Sequence, residues 1–478
     1  MSTITIPWIA LPLFVGFSIY LIPKFDRYLA LGVALFSVEY GTQLLLTAKS
    51  PLTIQLLDNF GVTLLVDQLS AFFILTNGLV TAAVILYCWQ SGKTAFFYTQ
   101  TIILHGSVNA VFICADFISL YVALEVISIA AFLLIAYPRT DRSIWVALRY
   151  LFVSNTAMLL YLVGAILVYK ANNSFAFEGL RGAPPEALAL IFLGLLVKGG
   201  IFVSGLWLPL THSESQSPVS ALLSGVVIKT GVFPLLRCAL IVEELDPIVR
   251  IFGVGTALLG ITYALFEKDT KRILAFSTIS QLGFILASPE VGGFYALTHG
   301  LVKSALFLIA GVLPSRNLNE LQHQRINTPI WIALAIASFS ISGFPLLSGF
   351  GAKVLTLKNI VPWQVIGMNV AALGTATCFG KFIFLPHGDG SQGQVKANFW
   401  LAMILLLGGV IAVNSVYYEA YNFANIIKPL ATIGLGWFAY LLIFKRSVLK
   451  LPRVLEEFDH LIGVMSLMLV LLFWMVFP

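Results

Sequence analysis

Cysteine is scarce in this sequence. Four occur in 478 residues, Cys88, Cys114, Cys238 and Cys378, each alone in or at the end of an apolar run. With no C-x-x-C among them, neither an iron–sulfur cluster nor a zinc site is implied; they read as small apolar packing residues. Glycine-rich phosphate motifs are missing as well: no G-x-G-x-x-G follows a strand pattern, and no P-loop occurs. Any redox or nucleotide chemistry coupled to this chain is therefore expected on other subunits, and no cofactor or metal is expected here. Charge is thin, with Asp, Glu, Lys and Arg making up 10% of the residues. There is no low-complexity linker and no soluble domain.

What is present is apolar. The chain is 59% hydrophobic, and its mean hydropathy of +0.94 places most of it in lipid. The net charge of +6 is explained by basic loops on the cytoplasmic side of a membrane and needs no nucleic-acid partner. About sixteen apolar runs are long enough to span, near 6–22, 29–48, 64–90, 95–114, 117–137, 147–169, 187–208, 219–241, 248–266, 273–288, 293–313, 330–357, 362–385, 399–417, 427–444 and 461–477. The first lacks a basic region ahead of it, its first basic residue being Lys24, so it reads as a retained span rather than a cleaved signal. Connections after odd-numbered runs hold Lys24, Arg27, Lys93, Arg139, Arg142, Lys268, Lys271, Arg272, Arg316, Arg325, Lys445, Arg446, Lys450 and Arg453; those after even-numbered runs hold mainly Lys49, Lys170, Arg181 and Arg250. That bias puts both termini outside the cytoplasm.

The stretch from Leu190 to Arg237 stands out. It carries Lys198 in the middle of one apolar run and Lys229 in the middle of the next. An ammonium at the bilayer centre costs about 2.5–3.5 kcal/mol on insertion scales, so such a residue normally faces a protein interior or a wet cavity. Gly194, Gly199, Gly200 and Gly205 crowd the first lysine and Pro209 follows, as in a helix broken at membrane depth. A second interrupted run, SISGFPLLSGFGAKVLTLK, contains Gly343, Pro345, Gly349 and Gly351 and then Lys353. Two broken helices five spans apart point to an internal repeat with a site at its interface. The expected divisions are residues 1–93 as three N-terminal helices, 94–245 and 246–390 as two five-helix repeats, and 391–478 as C-terminal helices.

Titratable residues inside the runs form a short list: Glu125, Lys198, Lys229, His299, Lys303, Lys353 and Lys381, with His105 weaker. His299 and Lys303 are one turn apart and share a helix face. A lysine in water holds its proton at ordinary pH, burial disfavours the charged form, and a nearby carboxylate restores it. A buried lysine with a movable carboxylate partner is thus a proton switch. Glu125 with Lys198 is the expected switch, and Lys229 and His299 would pass the proton laterally, through waters, to Lys353. A lone intramembrane lysine is compatible with a structural ion pair; the size of the set and the two helix breaks argue for transport. His105 and Lys381 fit packing and function about equally, as does His212, at a helix-break connection, as an uptake residue or a loop hydrogen-bonder. Asp67 is divided between anchoring and function, Arg149 and Asp116 read as interfacial, and Glu39 as interfacial or paired with no role.

At these residues the chain resembles the antiporter-like subunits shared by Mrp-type multisubunit cation/proton antiporters and respiratory complex I (NADH–quinone oxidoreductase). The resemblance runs to about residue 420. LLVKGGIFVSGLWLPLTHSESQSPVSALLSGVVIKTGVFPLLR is similar to the family's lysine helix, its W-L-P-x-x-H-S connection and the following lysine helix. EKDTKRILAFSTISQLGFIL and FYALTHGLVKSALFLIAG are similar to its D-x-K-R and H-x-x-x-K segments. The resemblance implies Glu125 as the glutamate of the family's fifth helix and Lys198 as its partner on the seventh. It implies Lys229 as the central lysine, His299 and Lys303 as relay groups, and Lys353 as the distal residue of the twelfth. A lysine there, and the stretch DNFGVTLLVDQLSAFFIL, are more like the D-type member of the Mrp antiporters. The implied fold is an all-α polytopic membrane protein, with about 14 core helices, two inverted five-helix repeats, broken helices 7 and 12, and about 2 further C-terminal helices. No long lateral helix follows them, unlike the largest complex I subunit.

The implied function is proton translocation within a multisubunit Na⁺(K⁺)/H⁺ antiporter. The alternatives are a proton-pumping membrane subunit of a complex I-like NAD(P)H/ferredoxin–quinone oxidoreductase and an accessory subunit of an inorganic-carbon or hydrogenase complex. Expected partners are other subunits of such a complex, protons, monovalent cations and the bilayer. A bacterial-type inner membrane is the expected location, with the thylakoid as the alternative.

Overall fold

In lipid the backbone has no water to bond, so each apolar run must satisfy its own N–H and C=O groups, and helices result. The computed structural model describes residues 2–47, 50–56, 61–389, 395–446 and 449–476; Lys49 and residues 58–60 at the start of the DNFGVTLLVDQLSAFFIL stretch lie outside them. The described α-helices are α1 (Ser2–Leu21), α2 (Asp26–Thr47), α3 (Gln68–Cys88), α4 (Ala95–Val111), α5 (Phe117–Ile135), α6 (Asp141–Asn172), α7 (Pro185–Lys198), α8 (Leu208–Glu214), α9 (Ser217–Leu222), α10 (Lys229–Ile241), α11 (Asp246–Phe266), α12 (Thr270–Leu286), α13 (Gly292–Ala310), α14 (Leu318–Leu321), α15 (Thr328–Ser342), α16 (Ser348–Lys358), α17 (Gln364–Ile383), α18 (Ala397–Asn414), α19 (Phe423–Leu442) and α20 (Phe458–Val476). The protein is thus an all-α, multi-pass membrane protein. Among the described residues, 13 helical segments are long and apolar enough to span. Of the remaining expected runs, two fall on α4 and α12, each 17 residues long, and one on the pair α15 and α16.

Every residue of α12 and α13 is buried, and so is every residue from Ser217 to Ala239, while α1, α2, α19 and α20 turn most of their surface outward. The titratable residues of the second half therefore sit at the centre of the bundle rather than on its lipid face. Short strands close the ends. β1 (Leu52–Gln55) pairs antiparallel with β2 (Thr63–Val66), Leu52 opposite Val66. The run expected near 64–90 thus opens with a strand before its helix. β3 (Ile326–Asn327) pairs parallel with β4 (His387–Gly388).

The last two helices are placed far apart. α19 packs on α17, whereas α20 returns to α7 and α6. The buried positions of α20, Leu461, Val464, Met465, Met468 and Leu472, recur at helical spacing and form its seam. The connection between them is tied down by ions. Arg272 reaches Glu267 at 2.8 Å and Glu456 at 2.6 Å, Arg453 reaches Glu267 at 3.1 Å, and Arg149 donates to the carbonyl of Glu456. Arg149 is thus buried against this connection. Burial works against the Glu267 carboxylate, but Arg272 and the backbone N–H groups of Lys268 and Asp269 outweigh it and hold its pKa below the ordinary value. Replacing Arg272 with alanine strands the nearly buried Glu456 carboxylate and leaves Glu267 only Arg453 and its backbone donors, and is expected to cost about 3 kcal/mol. Thermal unfolding in detergent, with proteolysis of the 449–457 connection, reads the loss; unchanged resistance would show that apolar packing alone holds α20.

Candidate functional site

The first break lies where the glycines crowd. α7 ends at Lys198, and Gly200 takes a left-handed φ of 64°, a conformation glycine adopts without steric cost. A β-carbon on Gly231 of α10 would come within 2.1 Å of the Gly199 nitrogen. The backbone of the second lysine helix therefore rests on the break in the first. Lys198 Nζ donates to Leu124 O at 3.2 Å, Ser128 Oγ at 2.5 Å and Ser154 Oγ at 2.7 Å, which uses all three of its donors. Glu125 sits between two of those partners in sequence, yet it forms no ion pair with Lys198. Glu125 is half-buried, and its Oε1 has no hydrogen-bond partner in the protein. The structure thus brings the expected switch pair onto facing helices without joining them directly.

A feature absent from the sequence expectations precedes Lys229. Residues Leu223–Val227 form a π-helical turn, in which Ile228 N bonds Leu223 O at 3.0 Å. The wider turn takes carbonyls out of the regular ladder, as π-bulges do. Lys229 Nζ collects two of them, Ser224 O at 3.2 Å and Gly225 O at 2.5 Å. One donor is left over. A β-carbon on Gly300 would lie 3.5 Å from this ammonium, so Lys229 abuts α13 next to His299.

On α13, Lys303 Nζ donates to Leu274 O at 3.0 Å and to Ser277 Oγ, and lies 5.4 Å from the centre of the Phe379 ring. His299 is buried with neither ring nitrogen bonded to protein. It faces a cavity of about 10 Å³, shared with Tyr295, Gln281, Ser340 and Gly349, which is the size of one water. Tyr295 Oη donates to Gln281 Oε1 at 2.6 Å across it.

Ser340 and Gly349 flank the second break. There α15 stops at Gly343, whose φ is 88°. Lys353 follows on α16 with its methylenes over Gly343; its Nζ is buried without a protein partner, 5.4 Å from the Phe284 ring centre. Lys229, His299 and Lys303 therefore form one neighbourhood. The cavity beside His299 reaches the second break, while Lys198 and Lys353 each stand apart.

The remaining candidates divide by their partners. His105 is bonded to Ser37 at 2.8 Å, Thr81 at 3.1 Å and Asn109 at 3.2 Å, a polar network joining α2, α3 and α4. Lys381 caps the end of α11 through the carbonyls of Ala264, Leu265 and Glu267. His212, on α8, has both ring nitrogens free of protein bonds and packs 5.5 Å from the Phe307 ring. Asp116 caps α5 through Ser119 N at 2.7 Å.

Asp67 caps α3 and forms a two-pronged bond to Arg237, a partner that no sequence pattern suggests. Burial pushes the Asp67 carboxyl up, but Arg237 and Ser70 prevail and hold it below its ordinary value. The pairing therefore contributes stability above the ordinary carboxylate range and loses it as the pH falls through the depressed value. Asp67→Ala is expected to cost about 3 kcal/mol and to flatten the acid limb of a stability-versus-pH curve measured in detergent. An acid limb unchanged from wild type would remove Asp67 from the pairing that anchors α3 to α10.

Residues 114–380 match the family described as "NADH:quinone oxidoreductase/Mrp antiporter, TM". The chain is 26% identical to the D component of the Na(+)/H(+) antiporter of Alkalihalophilus pseudofirmus, covering 85% of this chain and 91% of that one. It is 30% identical to NAD(P)H-quinone oxidoreductase chain 4 2 of Microcystis aeruginosa, covering 88% and 95%. Its fold matches a chain of the membrane-bound sulfane sulfur reductase, an archaeal respiratory membrane complex, with a TM-score of 0.77 at 20% identity over 92% of this chain and 99% of that one. The family match spans more than half of the sequence and takes in both helix breaks and the buried lysines at and between them, and so this chain belongs to the NADH:quinone oxidoreductase/Mrp antiporter transmembrane family.

Proposed function

We propose that the chain is the proton-translocating subunit of a multisubunit Na⁺(K⁺)/H⁺ antiporter. The observation that carries this reading is the group Lys229, His299 and Lys303, buried at the centre of the bundle beside a helix break and without a carboxylate bonded to any of them. A cation cluster of this kind does not serve as a structural ion pair, because it has no anion in contact. Its chemistry is proton storage and release through hydration. Unpaired ring nitrogens and ammonium donors are the points at which water bridges one group to the next.

Glu125 and Lys198 form the switch at one end of this route. Lys198 bonded to two serines is the separated arrangement, and a short swing of Glu125 toward it creates the paired one. Lys353, across the second break, is the distal group. The segments 94–245 and 246–390 act as inverted five-helix repeats, each contributing one broken helix, with residues 1–93 and 391–478 flanking them. The Lys/Arg-rich connections face the cytoplasm of a bacterial-type inner membrane. External protons exchange for cytoplasmic cation with the help of partner subunits.

The 30% identity to a quinone oxidoreductase chain favours a second reading, in which electron transfer on other subunits drives the same route. Vesicles holding the purified complex separate the two. Sodium- or potassium-dependent pH change without an electron donor is the expected result; pH change only with a donor and quinone supports the second reading. No proton movement under either condition contradicts both.

A further inference from the structure

Two carboxylates lie well inside candidate spans among the described residues, Glu125 and Glu39. The second is not used by the proton route. Glu39 is on α2, thirteen residues from its start and eight from its end, or about 20 Å and 12 Å along the axis. That is inside a hydrocarbon core about 30 Å thick. Its inward neighbours Ser37, Tyr40 and Gly41 are buried, but Glu39 itself is exposed. Its one bond comes at 3.4 Å from Gln43, which is exposed on the same face. Tyr28, Leu35 and Leu46 share that face and are 64%, 48% and 79% exposed. The outward stripe of α2 is thus apolar at its ends and acidic and amide-bearing near its centre.

A short carboxylate at this depth cannot reach the headgroups. Lys428 of α19 provides the contrast: it is also exposed, but it lies five residues from its helix start, about 8 Å in, and its long stem can carry the ammonium to the interface. Glu39 facing hydrocarbon is strongly unfavourable, so something polar covers it. A second copy meeting this stripe across a two-fold axis would set Glu39 against Glu39. The complement that fits is a cation.

We propose that the outward face of α2 is the docking surface for a transmembrane helix of a different subunit, and that this helix carries a Lys, Arg or His at the depth of Glu39. The inference is independent of the proton route.

The assembled complex in its native membrane provides the test. A benzoylphenylalanine photo-crosslinker at Leu35 is expected to attach to a single other subunit, at a helix bearing a cationic side chain. The same probe at Leu435, exposed on α19, should attach to lipid. Glu39→Leu is expected to lower recovery of that subunit at least about tenfold, with Glu39→Gln intermediate. Glu39→Lys combined with an acidic replacement of the partner's cation should restore it. Glu39→Gln keeps the side-chain shape, so its recovery with the rest of the complex separates a docking defect from a folding one. The proposal is overturned if Leu35 attaches only to lipid or to a second copy, if the attached helix has no cation, or if Glu39→Leu retains the full subunit complement.

Discussion

Lys198→Ala is expected to lower proton flux by at least about 100-fold, the scale on which removing a positioned proton-transfer group acts, while the subunit still assembles. Assembly should survive because the partners of Lys198 can close over its absence. Ser128 Oγ and Ser154 Oγ already lie 3.1 Å apart, and Ser128 also bonds Leu124 O at 2.9 Å. Neither hydroxyl is left unsatisfied, which keeps the stability cost small. Glu125→Ala is expected to stop flux in the same way. Lys198→Arg is a sharper variant: a guanidinium keeps the charge but does not release its proton at any relevant pH. Flux should be lost in Lys198→Arg as well. The readout is cation-driven pH change in vesicles, with subunit content checked on the same preparation. Full transport in the Glu125 or Lys198 alanine variant would exclude the switch.

Lys353→Ala has the second large effect. Its ammonium has no protein partner, so its removal breaks no hydrogen bond. The methylenes lie over Gly343 at the turn between α15 and α16, and a small cavity is the main structural consequence. Steady flux should again fall by about 100-fold. Proton uptake from the Lys198 side should remain, visible as a single-turnover signal from a pH-sensitive dye. Steady flux at the wild-type rate would mean that protons leave elsewhere; loss of the uptake signal too would mean that Lys353 is not distal.

Much of this arrangement is legible in the sequence because lipid makes the code strict. A span must be an apolar helix, so the runs and both breaks can be read from composition, and each charged residue inside a run stands out against its surroundings. What cannot be read is local geometry that leaves no compositional trace. The π-helical turn at Leu223–Val227 uses the same residue types as an ordinary helix, so the way Lys229 gathers carbonyls from its own helix is invisible. Ser128, three residues after Glu125, is the nearest thing to a missed signal, because that spacing puts both on one face. Its role as a bond to Lys198 still depends on how α5, α6 and α7 meet. The pairing of Asp67 with Arg237 spans 170 residues and is set by tertiary packing alone. The last helix departs from the core pattern, but nothing in its sequence says that it returns to α7. Glu39 carries no role in the sequence reading because exposure, not identity, is what makes it notable.

The central claim is a shared hydrated track through buried basic groups, and the direct test is a structure of the assembled complex at a resolution that orders water. Waters bonded in series from Lys229 through His299 and past the Ser340–Gly349 break to Lys353 are the predicted result. Apolar side chains filling those gaps, with each amine enclosed separately and no water between neighbours, would contradict it.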